Sequence, residues 1–160
     1  MTPYVHQCRN IHVKIPIFAW LIMIFQGMNP FNKNAWAHMS ISIGDKFFDV
    51  TSAGCKEYTR DEFLKKYRLI ESHQIKADIT TVEFYEFFDK FRGKEYDKLQ
   101  IVGLLLKSLG FISFNFIGND FKKLICNELI IAYLAHFHSF KFKDSDNFGL
   151  IDTWNKVKEY

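Results

Sequence analysis

Ala37 to Thr51 reads AHMSISIGDKFFDVT, two runs of strand-forming residues around Gly44-Asp45. Ala37, Met39, Ile41 and Ile43 alternate with His38, Ser40 and Ser42, so an apolar face backs a polar one. Gly44-Asp45 suits a two-residue hairpin turn of the kind that wants glycine first. Such a turn pairs Ile43 with Lys46. Counting back, Ser40 then faces Asp49 and His38 faces Thr51. His38, Ser40, Asp49 and Thr51 therefore share one face, with Asp49 a diagonal neighbour of His38, roughly 7–8 Å away between backbones. A turn one residue longer would send Asp49 to the opposite face.

Helical patterns flank this hairpin. Ile15 to Phe25 (IPIFAWLIMIF) is almost wholly apolar, and Pro16 suits a first helical turn, where its missing N–H is no loss. With Arg9 and Lys14 ahead of it, the run has the outline of a signal peptide, but no small-x-small cleavage site follows. It is also shorter than the ~20 residues that span a bilayer. We expect a buried core helix, with membrane association not favoured. Ile11 to Ile15 alternates loosely, like a short strand, and Gly27 to Asn34 is dense in turn formers. Thr59 to Tyr67 opens with Thr59 and Glu62 spaced as a capping box. Ile75 to Tyr85 alternates and predicts another strand. Leu99, Val102, Leu106 and Leu109 fall at helical steps within Asp97 to Leu109. Phe121 to His138 predicts the strongest helix, followed by a polar tail with an apolar patch at Phe148 to Ile151. No repeat or linker divides residues 1–160. The expected fold is a single α+β domain, a small antiparallel sheet packed against helices.

The 160 residues are 48% hydrophobic and 24% charged, the make-up of a globular chain with a proper core. A net charge of +3, with both signs spread along the sequence, argues against a nucleic-acid partner. The three cysteines, Cys8, Cys55 and Cys126, lack CxxC spacing, so neither a zinc site nor any other metal or cofactor is expected. Their odd number speaks against a disulfide framework and for a reducing compartment. A cytoplasmic or virion location fits better than secretion.

Cysteine chemistry needs a thiolate, and a helix N-terminus or a neighbouring imidazolium favours one. Cys126 lies near the start of the strongest helix, where backbone N–H groups have no intrahelical partner and can hold an oxyanion. His38, on the polar face of its strand, is the best base. Asp49 would fix its tautomer and favour its charged form, and Thr51 is the alternative for that role. His6, His12, His136 and His138 receive no role, nor do Cys8 and Cys55.

The order of these pieces resembles that of circularly permuted NlpC-type papain-like cysteine hydrolases, the group that includes YiiX-like proteins and is related to lecithin–retinol acyltransferase. These place a strand histidine first and the nucleophilic cysteine last. The resemblance rests on AHMSISIGDKFFDV, on Gly93 to Asp97 (GKEYD) and on the cysteine helix (ICNELIIAYL). It implies a permuted papain-like fold, with Cys126 as nucleophile, His38 as base and Asp49 as third member. Tyr96 would line the substrate site. Asn127 stands where the family usually has Ser, a change expected to matter little. The implied activity is hydrolysis or acyl transfer on an amide or ester through a thioester, with a peptide or lipid acyl substrate. The competing reading is an idle papain-like domain used for binding or as a structural part, for instance in a phage particle. Its interface would be Phe111–Phe121 and Phe137–Phe142.

Overall fold

The hairpin forms as counted. In the computed structural model, which describes residues 1–11, 17–111, 123–138 and 149–160, β2 (His38–Ile43) pairs antiparallel with β3 (Lys46–Thr51). Ile43 lies opposite Lys46, Ser42 opposite Phe47 and Ile41 opposite Phe48. Gly44 takes φ +59°, a left-handed value that glycine reaches without strain. The hairpin is part of a five-stranded antiparallel sheet, in which β1 (Pro3–Asn10) and β5 (Tyr67–Gln74) extend one side and β4 (Gly54–Thr59) the other. The strand order is β4-β3-β2-β1-β5. The fold is thus α+β, an antiparallel sheet with helices packed on it.

Strand β1 has no clear apolar alternation, yet it lies between β2 and β5. Its polar residues are buried because they have partners from distant segments. His6 Nδ1 lies 2.7 Å from Ser72 Oγ and its Nε2 lies 2.8 Å from Ser42 Oγ. Arg9 donates to the backbone carbonyls of Pro30 and Ala35 at 2.9 and 3.0 Å, and so clamps the loop that leads into β2. The expected Ile11–Ile15 strand and Pro16 lie almost wholly outside the described residues, as does most of the two aromatic stretches considered for an interface.

Both sheet faces are covered. On the inner face, Val5, Met39, Ile41, Phe48 and Val50 form one core with residues of α5 (Cys126–Phe137). On the outer face, Cys8, Phe47 and Phe63 form a second, smaller core, and α2 (Arg60–Leu64) supplies Phe63. Ser40 and Ser42 are therefore buried, although their strand alternates like one with a solvated face.

Two expectations are corrected. Ile75 to Tyr85 is not a strand. Residues 75–79 are irregular, and α3 (Thr81–Asp89) follows. Thr80 and Glu83 close a capping box on α3, with the Thr80 N–H donating to Glu83 Oε2 at 2.8 Å. Phe84, Phe87 and Phe88 then fill one helical side. The apolar run of residues 15–25 yields α1 (Ile17–Phe25), which is not a buried core helix: Met23 is buried, but Ile17 is 72% exposed and Ile24 42%. It packs along one side against α4 (Lys98–Ser108) and borders the cleft described below. On α4, the stripe of Leu99, Val102 and Leu109 faces outward, while Gln100 and Ile101 are buried. Short strands β6 (Glu95–Tyr96) and β7 (Lys123–Leu124) pair in parallel, and α6 (Leu150–Val157) packs on α5.

Candidate active site

Cys126 is the first residue of α5, not an interior one. Its amide therefore has no partner within the helix, and its sulfur lies at the positive end of the helix dipole. Several contacts hold this helix start. Glu128 Oε2 accepts from the Ile125 N–H at 2.8 Å, and Gln100 on α4 donates to Glu128 Oε1 at 2.6 Å. Asn127, expected to be of little consequence, is buried, and its Nδ2 reaches Thr153 Oγ1 of α6 at 3.4 Å. Asp97 caps α4, accepting from the Gln100 N–H at 2.9 Å, while its own N–H donates to the Leu124 carbonyl at 3.1 Å. The β6–β7 pair and α4 thus frame the cysteine. Glu128 stands at the third helical position, where a capping carboxylate is expected, but nothing in the spacing of Gln100 marks it in sequence, because its meeting with Glu128 is tertiary.

His38 is the first residue of β2, so its ring stands at the end of the sheet, where the inner and outer layers meet. Its Nε2 hydrogen-bonds Asp49 Oδ1. With that nitrogen engaged, Nδ1 is the one left for a thiol, and Cys126 is near enough to the ring to raise its pKa. Burial alone would favour the neutral imidazole. Asp49, and then Cys126, outweigh it and hold the His38 pKa well above its ordinary value. Asp49 is fully buried and His38 keeps 13% of its side chain exposed. Thr51, the alternative partner, is turned to its own loop and accepts from the Ala53 N–H at 3.2 Å.

The other cysteines differ. Burial pushes the Cys55 thiol up to about 12 and Cys8 well above its usual value, with the Asp49 charge adding to both. Cys8 contacts Ser40 Oγ at 3.4 Å. Neither acts on the His38 ring as Cys126 does.

No family model, no curated protein and no solved structure matches this chain. The chemistry therefore follows from the side chains themselves. Among the described residues, no helix is long and apolar enough to cross a membrane, and no cluster of His, Cys, Asp and Glu is arranged to hold a metal ion.

Two cavities flank the dyad. One of about 400 Å³ has Cys126 in its wall and is lined mainly by Phe25, Leu104, Leu105, Ile125 and Leu150. The other, about 270 Å³, has His38 in its wall together with Arg9, Thr51, Tyr67 and Lys98. Ile22, Tyr96 and Ile101 border both. Tyr96 therefore stands between the two, beside the cysteine. Burial, with the negative charge that Cys126 and Asp49 can carry, keeps its phenol protonated. The arrangement has a thiol, a base with an oriented ring, a helix N-terminus and room on either side.

Proposed function

We propose that this chain is a thiol-dependent hydrolase or acyltransferase acting on an amide or ester, with Cys126 as nucleophile and His38 as base. The observation that carries this is one imidazole hydrogen-bonded to Asp49 and close enough to Cys126, at a helix start lined by a cleft, for the cysteine to raise its pKa. The resemblance of the motif order to permuted papain-like hydrolases points the same way.

His38 Nδ1 takes the thiol proton, and the sulfur attacks the carbonyl carbon. The carbonyl π bond opens to an oxyanion, for which the Cys126 N–H is a donor. Collapse restores the carbonyl and breaks the bond to the alcohol or amine, which leaves with the proton from His38. Water or another acceptor then attacks the thioester and passes its proton to His38, and the carbon–sulfur bond breaks, so that the acyl product leaves and Cys126 is restored as thiolate beside the protonated His38. Asp49 holds the ring in the tautomer with hydrogen on Nε2.

The wall beside Cys126 is largely apolar, which favours an apolar acyl portion, either a lipid chain or an apolar peptide residue. The test is intact-protein mass spectrometry after acid quench from a p-nitrophenyl ester. The expected result is an acyl increment on Cys126, absent in Cys126→Ser and formed on the order of a hundredfold more slowly in His38→Ala. Full hydrolytic activity in Cys126→Ala, with no adduct in the wild type, would sink the proposal.

A further inference from the structure

A column of aromatic rings crosses the outer face of the sheet and ends on the base. His6 stacks on Phe47, with centroids 5.0 Å apart and planes 29° apart. Phe47 stacks on Phe63 at 4.5 Å and 17°, and Phe63 meets Tyr67 at 4.9 Å and 33°. Tyr67 lies on the His38 ring at 4.9 Å and 16°. The last contact is nearly parallel, an offset stack of the kind that aromatic pairs favour.

We infer that Tyr67, braced from behind by Phe63, is a positioning residue for His38. The inference rests on the reading of His38 as the base of Cys126. The hydrogen bond of Nε2 to Asp49 fixes one end of the imidazole, but it leaves the ring free to tilt about that bond. A ring laid flat on one face removes that freedom. Tyr67 is suited to the task because it is fixed at its base. It is the first residue of β5, paired with Asn10 of β1, and it follows α2 by a short turn.

Helix α2 explains the brace. It has five residues, too few to be stable alone. Its start is closed by Thr59 and Glu62, with the Thr59 N–H donating to Glu62 Oε2 at 2.8 Å. Its one buried side chain, Phe63, is fully enclosed between Phe47 and Tyr67. The outer core is thus aimed at one ring of the candidate site. The electron-rich face of Tyr67 also favours a charged imidazole over a neutral one. The other titratable groups around that ring are Asp49 on β3, Cys126 on α5 and Cys8, its cross-strand neighbour on β1.

The experiment compares wild type, Tyr67→Phe and Tyr67→Leu by Cys126 alkylation with iodoacetamide and by NMR of the His38 ring protons. Tyr67→Phe keeps the stack and stays within about twofold of wild type, whereas Tyr67→Leu slows alkylation near neutral pH by about five- to tenfold. Near pH 10, where a thiol ionises without help from a base, the three rates converge; a merely structural role would not produce that pH selectivity. The His38 ring protons are shifted upfield by the Tyr67 ring current in wild type and in Tyr67→Phe. A folded Tyr67→Leu protein with the wild-type rate at neutral pH would overturn the inference. If Tyr67→Leu does not fold, His38 protons at unshifted positions in the wild type overturn it equally. Equal alkylation of wild type and His38→Ala would instead overturn the proposed function, and the ring-current measurement would still judge the stack.

Discussion

An imidazole held between a carboxylate and a thiol has a pH signature. The folded pKa of His38 lies well above its ordinary value of about 6.5, because Asp49 and Cys126 outweigh the effect of burial. A group raised in this way binds its proton more tightly in the folded state. Its contribution to stability is fully present below the unfolded value and is lost as pH rises through the folded one. We expect the unfolding free energy to fall with rising pH above neutrality. Asp49→Asn should flatten that decline, because the main charge that raises His38 is gone. Denaturant titrations of both proteins from about pH 6 to pH 10 read the difference. A decline of the same slope in Asp49→Asn would show that another group is responsible. His6 is the contrasting case. Burial, with some repulsion from Arg60, lowers its pKa to about 4, so it is a neutral partner of Ser42 and Ser72 near neutral pH, where His38 is charged.

At the scale of elements, the hairpin turn decides whether Asp49 can meet His38 at all. Gly44 sits at φ +59°, and a side chain there would meet only Met1 Sδ, at 3.9 Å. The penalty for a substitution is thus in the backbone and not in a clash. Gly44→Val should cost about 1–2 kcal/mol, while Gly44→Asn should cost clearly less, since asparagine tolerates the left-handed region. Thermal or denaturant unfolding of the two variants checks the order, and equal losses would point to side-chain crowding. This turn was legible in sequence because its signals are local: glycine at the first turn position between two alternating runs. Helix α5 was legible for the same reason, and so was the capping box at Thr59. Strand β1 was not, because His6 and Gln7 break its apolar pattern and Ser42 and Ser72 satisfy His6 from far along the chain. Helix α3 was masked by the alternation of Ile75, Ala77 and Ile79, which are buried or half-buried in extended chain that only feeds the helix. The meeting of His38 and Asp49 was anticipated by counting register, whereas register says nothing of Cys126, which was singled out by its place at a helix start and by the order of the motifs. The contacts of Gln100 with Glu128 and of Tyr67 with His38 join elements that no spacing links.

On the scale of the whole molecule, the proposed mechanism assigns the two halves of a substrate to different cavities. The acyl group stays bonded to Cys126 after the first step, while the leaving group takes its proton from His38 and departs on that side. On that mechanism the acyl group would occupy the cavity of about 400 Å³ beside the cysteine, walled by α1, α4, α6 and Ile125. Apolar burial is worth about 0.8 kcal/mol per methylene, or roughly fourfold in kcat/KM where the methylene is fully buried in the transition state. A series of p-nitrophenyl esters from acetate to octanoate should accordingly gain in kcat/KM with each added carbon until the cavity is filled. Leu104, half-buried on α4 and part of this wall, offers the control. Leu104→Trp adds bulk to the cavity, so the gain should stop at a shorter chain while the acetyl ester loses far less than the octanoyl ester. A wild-type series with no dependence on chain length would mean that the acyl group does not enter this cavity. A Leu104→Trp series parallel to that of the wild type would place the chain elsewhere along the cleft, toward Arg9 and Lys98.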